Sequence, residues 1–294
     1  MTRSQANCLL MLAACLWGSG NVAQQTILRE ISPVTAVGLR CLIASVVILP
    51  FFKWHSTPSF NFPKTGRGLL LMTTCCFGLA VTLQQIGFGL TTVSNGSFLV
   101  NSCTAMVPLG VWLYLGVRPS AMVWPAAAAT LAGTCFMGGG VPTAFSFGDM
   151  VCLLAALGFT VWTICLSEHM RRFNNALSIS FTQFACTGLA GTVLGMLWEP
   201  ISVEHIWKVA PELVFLGVCS TGLAYAFQAM AMAHTKASEA TIIVSGEAIF
   251  GALGGIFLLG EALSLFGLLG AGLIFGGIVL MQVPANWFAN PDLR

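Results

Sequence analysis

Charge is what this 294-residue chain has least of: 10 acidic and 12 basic side chains make up 7% of it, against 56% apolar residues. A water-soluble surface of ordinary charge density cannot be assembled from so few ionic groups, so a bilayer is the expected solvent. Catalytic signatures are missing as well. No H-E-x-x-H or paired-aspartate motif occurs, and Gly18-Ser19-Gly20 has no intramembrane histidine or lysine to activate its hydroxyl. No Gly-rich phosphate loop ending in lysine is present, so ATP cannot drive a cycle from within the chain. The eleven cysteines are odd in number, contain no C-x-x-C pair and lie mostly in apolar runs, where they read as small packing residues. His55, His169, His205 and His234 fall singly in loops or at the ends of apolar runs, a poor basis for a metal site. The expectation is a protein that is not an enzyme, with no cofactor, no metal and no nucleic-acid partner.

What the sequence does contain is a copy of itself. Shifted by 144 residues without a gap, Gly78–Met137 matches Gly222–Met281 at 15 of 60 positions, including Gly78-Leu79-Ala80, Gln84 with Gln228, and Leu115-Gly116 with Leu259-Gly260. The same offset pairs Leu9-Leu10 with Leu153-Leu154 and Trp54 with Trp198. Apolar runs of about twenty residues, enough to cross roughly 30 Å of hydrocarbon, number five in each copy. They fall near 8–28, 33–52, 67–90, 94–115 and 120–140, then near 147–168, 176–197, 210–233, 238–259 and 264–283. The predicted fold is an all-α membrane protein of ten transmembrane helices, with repeats over 1–146 and 147–294 and a tail from about 284. Only Arg3 precedes the first run, which leads through Asn21, Gln24 and Gln25 rather than to a cleavage site, so that run is read as a retained helix.

An odd number of helices per repeat forces the second copy to enter the membrane from the opposite face, so the repeats are inverted. Inverted repeats that meet at the bilayer centre suit a carrier: exchanging the conformations of two similar halves exposes one central site to each face in turn. Lys and Arg in short loops stay cytoplasmic. With the N-terminus inside, Arg3, Lys53, Lys64, Arg67, Arg118, Arg171, Arg172, Lys236 and Arg294 lie on the inner side and only Arg29 and Lys208 on the outer, Arg40 being intramembrane. Both termini are therefore expected in the cytoplasm.

Trp17-Gly18-Ser19-Gly20-Asn21, Ser32-Pro33 leading to Leu39-Arg40, and Leu259-Gly260-Glu261, taken in this order with the duplication, resemble the drug/metabolite transporter superfamily. More closely the chain resembles its ten-helix EamA-type members, and among these the bacterial exporters of aromatic and other neutral amino acids. Gly116-Val117 stands where many relatives carry Gly-Glu, and Ala248 where a proline often follows the ninth-span glutamate. The resemblance implies the bacterial inner membrane as location, export as direction, and a small-molecule solute and membrane lipid as partners. The expected unit is a monomer. The alternative reading is a multidrug or cationic-drug exporter, possibly driven by protons.

Polar groups within the spans mark the candidate site, because each must face protein or a water-filled cavity. Glu247 is the one mid-span acid: a receptor for a substrate ammonium, a proton carrier, or a structural acceptor for Arg40 or a serine. Ser94, Ser97, Asn101, Ala105 and Pro108 recur at helical spacing as a small, partly polar stripe, which suits either ligand contact or close packing. Asn101, whose amide both donates and accepts, is its strongest candidate. Gln84 and Gln228 are duplicates placed on opposite sides of the midplane, and Tyr225 shares a face with Gln228. Trp17, with Asn21 one turn on, offers an indole face to an aromatic or cationic group, whereas Trp162 reads equally as packing. Phosphorylated solutes would need several intramembrane cations, and only Arg40 is available, so a neutral or zwitterionic solute fits better.

Overall fold

Thr2 and Ser146, 144 residues apart, open the first helix of each repeat with the same reciprocal cap. Thr2 Oγ1 accepts from the Gln5 amide at 3.3 Å while Gln5 Oε1 accepts from the Thr2 amide at 2.8 Å. Ser146 Oγ accepts from the Asp149 amide at 3.1 Å, and Asp149 Oδ2 accepts from the Ser146 amide at 2.8 Å. Two otherwise orphaned helix donors are thereby satisfied at each start. Duplication in sequence has become duplication in local structure.

The computed structural model describes residues 1–54, 64–140, 145–259 and 264–282. The first five spans are Arg3–Glu30, Pro33–Trp54, Lys64–Leu90, the pair Val93–Asn101 and Cys103–Leu115, and Val123–Met137. The second five are Phe147–Phe173, Ala176–Trp198, the segment Ala210–Met232, the pair Ala237–Val244 and Glu247–Leu259, and Leu265–Gln282. A short helix, Val203–Lys208, precedes the eighth span, and no strand occurs among the described residues. Seven spans are long and apolar enough to cross a membrane by length and composition alone; the first, the 15-residue fifth and the interrupted ninth complete the ten. The expected tail and Glu261 lie outside the described residues.

Helix contacts obey the exchange of repeats. Spans 2 and 7 cross each other, as do spans 5 and 10, and each pair is its own mate under the duplication. Span 1 packs on spans 8 and 9, just as span 6 packs on spans 3 and 4. With five spans per repeat the two copies run in opposite senses, which makes the repeats inverted. At the 5/10 crossing a Cβ on Gly133 would sit 2.5 Å from the Gly270 carbonyl, and one on Gly270 would sit 2.5 Å from the Gly133 carbonyl. Backbone against backbone at this range needs glycine at both positions, the usual means of close helix contact in lipid.

The fourth and ninth spans, which the sequence presents as continuous, are each broken at mid-membrane. The breaks fall at Ser102 and at Ser245-Gly246, the same point of each repeat once the offset is applied. Ser102 Oγ donates to the Leu99 carbonyl and Ser245 Oγ to the Ile242 carbonyl, both at 2.6 Å, and such back-bonding competes with the helical ladder. The eighth span departs differently: its middle, Leu216–Leu223, is π-helical.

Candidate functional site

A central cavity lies between the two repeats. Trp17, Gln84, Asn101, Trp162, Tyr225, Gln228 and Glu247, seven of the eight residues singled out in the sequence, line it. The side chain of the eighth, Asn21, lies outside the described residues, as does that of Ser94 in the fourth-span stripe; Ser97 lines the cavity.

The floor is aromatic. Tyr225 is ringed by Trp17 at 4.8 Å, Phe77 at 4.9 Å, Trp162 at 5.5 Å and Phe184 at 6.3 Å between centroids, largely edge to face. Such contacts add attraction beyond their buried area and fix the rings. Hydrogen bonds complete the fixing: Trp17 Nε1 donates to the Ser220 carbonyl in the π-helical stretch at 2.8 Å, and Trp162 Nε1 donates to Gln183 Oε1 at 3.0 Å. Trp162 is thus both a packing residue and a wall residue. Phe77 and Phe184, unmarked by the sequence, stand behind Tyr225 as fully buried support.

Polar groups surround this floor in two states of engagement. Asn101, the last residue before the fourth-span break, donates to Thr134 Oγ1 at 3.2 Å and accepts from Thr104 Oγ1 at 2.9 Å, tying its own span and the fifth together. Gln228 is buried, and its Oε1 has no partner. Glu247 occupies the first turn of the second half-helix of span 9, where the positive end of the helix dipole favours a carboxylate. It makes neither an ion pair nor a hydrogen bond among the described residues, so the expected structural pairing with Arg40 is absent. Its mate under the duplication, Cys103, lines the same cavity, so the acid is present on one side only.

Arg40 and Gln24 also line the cavity. The signal for Arg40 was present in the sequence, since an ionisable residue inside a span is a site candidate by default. What the sequence withheld was which side of its helix Arg40 occupies.

Phe88, two residues from the end of the third span, and Thr241, near the start of the ninth, both belong to the cavity wall, so the cavity reaches toward both faces. Both faces carry side-chain ties. On the side of the connection between spans 3 and 4, Lys208 pairs with Glu30, Thr91 Oγ1 donates to Asp149 Oδ1 at 2.6 Å and the Thr35 amide donates to Glu199 Oε2 at 2.7 Å. On the other side Arg3 bridges Glu239 at 2.8 Å, Asn7 donates to Gln282 Oε1 at 2.7 Å, and Thr235 donates to Asn7 Oδ1 at 3.3 Å. Spans 1, 9 and 10 and the turn after span 8 meet there.

An inverted-repeat helical bundle around a central, partly polar cavity is built as a membrane transporter. The chain belongs to the EamA-like transporter family, whose sequence profile matches residues 4–139 and again 146–283, within the drug/metabolite transporter superfamily. It is 28% identical over 284 residues to an "Uncharacterized transporter" of Archaeoglobus fulgidus, covering 96% of this chain and 87% of that one. It is 22% identical to the "Uncharacterized inner membrane transporter YicL" of Salmonella typhimurium, over 94% of this chain and 95% of that one. Identity to the "Uncharacterized transporter YwfM" of Bacillus subtilis is 23%, over 93% and 92%. A solved crystal structure shares the fold with a TM-score of 0.85 at 16% identity, covering 98% of this chain and 100% of that one. The family and these relatives place the protein among transporters rather than enzymes.

Proposed function

We propose that the protein exports neutral amino acids, aromatic ones foremost, across the bacterial cytoplasmic membrane by alternating access. The observation that carries this reading is an aromatic floor beside a carboxylate with no partner among the described residues. An aromatic side chain stacks on Trp17, Trp162 and Tyr225, while Glu247 receives the α-ammonium through a charge-assisted hydrogen bond. Gln84, Gln228, Asn101 and Asn21 supply further amide contacts as the halves exchange conformation. The nine-to-two excess of basic residues supports both termini in the cytoplasm, with Arg3 at the inner face. The working unit is a monomer made of repeats 1–146 and 147–294.

Multidrug export is the second reading, favoured by the same acid beside aromatic rings, which also suits an amphipathic cation. Flux of labelled phenylalanine and leucine from liposomes containing the purified protein, with and without a pH gradient, separates the two. Saturable amino-acid flux supports the proposal, and flux of a lipophilic cation with none of any amino acid under either condition refutes it. In the same assay Trp17→Ala and Gln228→Ala are expected to lower phenylalanine flux by about tenfold, the scale of one lost aromatic or hydrogen-bonding contact. Undiminished flux in both variants would remove these two residues from the site.

A further inference from the structure

Arg40 is 4% exposed, has no acidic partner among the described residues, and lines the central cavity. Its single hydrogen bond among the described residues is a long one, Nη1 donating to Gln24 Oε1 at 3.4 Å. Arg40 Nε has no partner, and neither has Nε2 of Gln24, itself 7% exposed and part of the same wall. A guanidinium carries five N–H donors in a planar fork, so most of this donor capacity is unused at the one place where a desolvated cation is costly. The donors that remain are N–H groups from two side chains on neighbouring spans, and no acceptor among the described residues answers them.

We infer that Arg40 and Gln24 form a carboxylate-binding subsite at the outer end of the cavity. A carboxylate is planar and takes two parallel N–H donors from one guanidinium, and the Gln24 amide supplies a further donor beside it. This rests on the amino-acid reading above and deepens it: Glu247 takes the ammonium, Arg40 and Gln24 the carboxylate, and the cavity selects zwitterions. Both charged groups line the same cavity as Tyr225, so the aromatic floor shares it with them. Depth agrees. At 1.5 Å per residue Arg40 lies about 10 Å below the outer end of its span and Glu247 about 15 Å above the inner end of its own. Across roughly 30 Å of hydrocarbon this leaves about 5 Å between them along the membrane normal, the scale of an amino-acid head group with its hydrogen bonds. A phosphate carries more charge than one guanidinium and one amide balance, and a simple cation meets Arg40 as a like charge. Each is disfavoured by the same pair.

The test uses the purified full-length protein and three ligands of one shape: L-phenylalanine, 3-phenylpropanoate without the ammonium, and 2-phenylethylamine without the carboxylate. Binding is followed by tryptophan fluorescence, since Trp17 and Trp162 line the cavity, and the melting temperature reports the fold. Arg40→Gln is expected to weaken phenylalanine by about tenfold or more, the worth of a charge-assisted pair, and to abolish saturable binding of 3-phenylpropanoate. It should leave 2-phenylethylamine unchanged or tighter. Arg40→Lys, which keeps the charge and loses the fork, should fall between. Phenylalanine bound and transported equally well by wild type and Arg40→Gln removes the subsite and leaves the amino-acid reading standing. Loss of 3-phenylpropanoate in Arg40→Gln, with no phenylalanine bound by either protein, keeps the subsite and removes that reading. Should Arg40→Gln fail to fold, wild type decides: 2-phenylethylamine binding as tightly as phenylalanine overturns the inference.

Discussion

Gly18→Val is expected to abolish transport. A Cβ on Gly18 meets the carbonyl of Glu247, the Gly251 amide nitrogen at 2.6 Å and the Phe250 Cβ at 2.7 Å. None of these is the far end of a flexible side chain that can swing aside. Spans 1 and 9 must therefore part at the level of the ninth-span break, and the first turn carrying Glu247 moves with them. Overpacking of this kind typically costs about 1–3 kcal/mol, which lowers the melting temperature, while the displaced carboxylate removes flux. Gly276→Val is the matched control, because a Cβ at exposed Gly276 meets nothing within 4 Å and should melt and transport like wild type. Wild-type flux in Gly18→Val would show that this approach does not position the site.

Glu247→Gln is expected to raise the phenylalanine concentration at half-maximal flux by about 10- to 100-fold, the worth of a charge-assisted hydrogen bond in a poorly hydrated site. Glutamine keeps volume and hydrogen bonding but not charge, so fold and melting temperature should hold. The change should be smaller for 3-phenylpropanoate, which has no ammonium to lose. Equal sensitivity of both ligands would assign Glu247 a structural part, and unaltered phenylalanine flux would separate it from binding altogether. Because Cys103 is its mate in the other repeat, Cys103→Glu in an Glu247→Cys background asks whether the acid works from the opposite side.

Much of this architecture was legible in the sequence because it rests on properties that add up over many residues. Span positions follow from summed hydropathy, and inversion follows from an odd number of spans in a gap-free duplication. Breaks in spans 4 and 9 were not legible, because Ser102 and Ser245 are ordinary helix residues in lipid until their hydroxyls bond backward. The π-helical stretch through Ser220 likewise has no compositional marker. Trp17, Tyr225 and Glu247 could be picked out because each is rare at mid-span, whereas Phe77 and Phe184 are two among 21 phenylalanines. Asn101 lines the cavity, and what the sequence could not foretell is that Thr104 and Thr134 already take part of its amide's hydrogen-bonding capacity.

Arg40 and Glu247 belong to different repeats, and neither has an ionic partner among the described residues. On the reading above, cargo with a charge of each sign joins the two halves and answers both groups while they reorient. Without cargo, both groups must pass through a poorly polarisable interior unanswered, and the return stroke is the slower one. Efflux into a solute-free compartment is then paced by that return, and solute on the far side speeds it: the molecule exchanges faster than it empties.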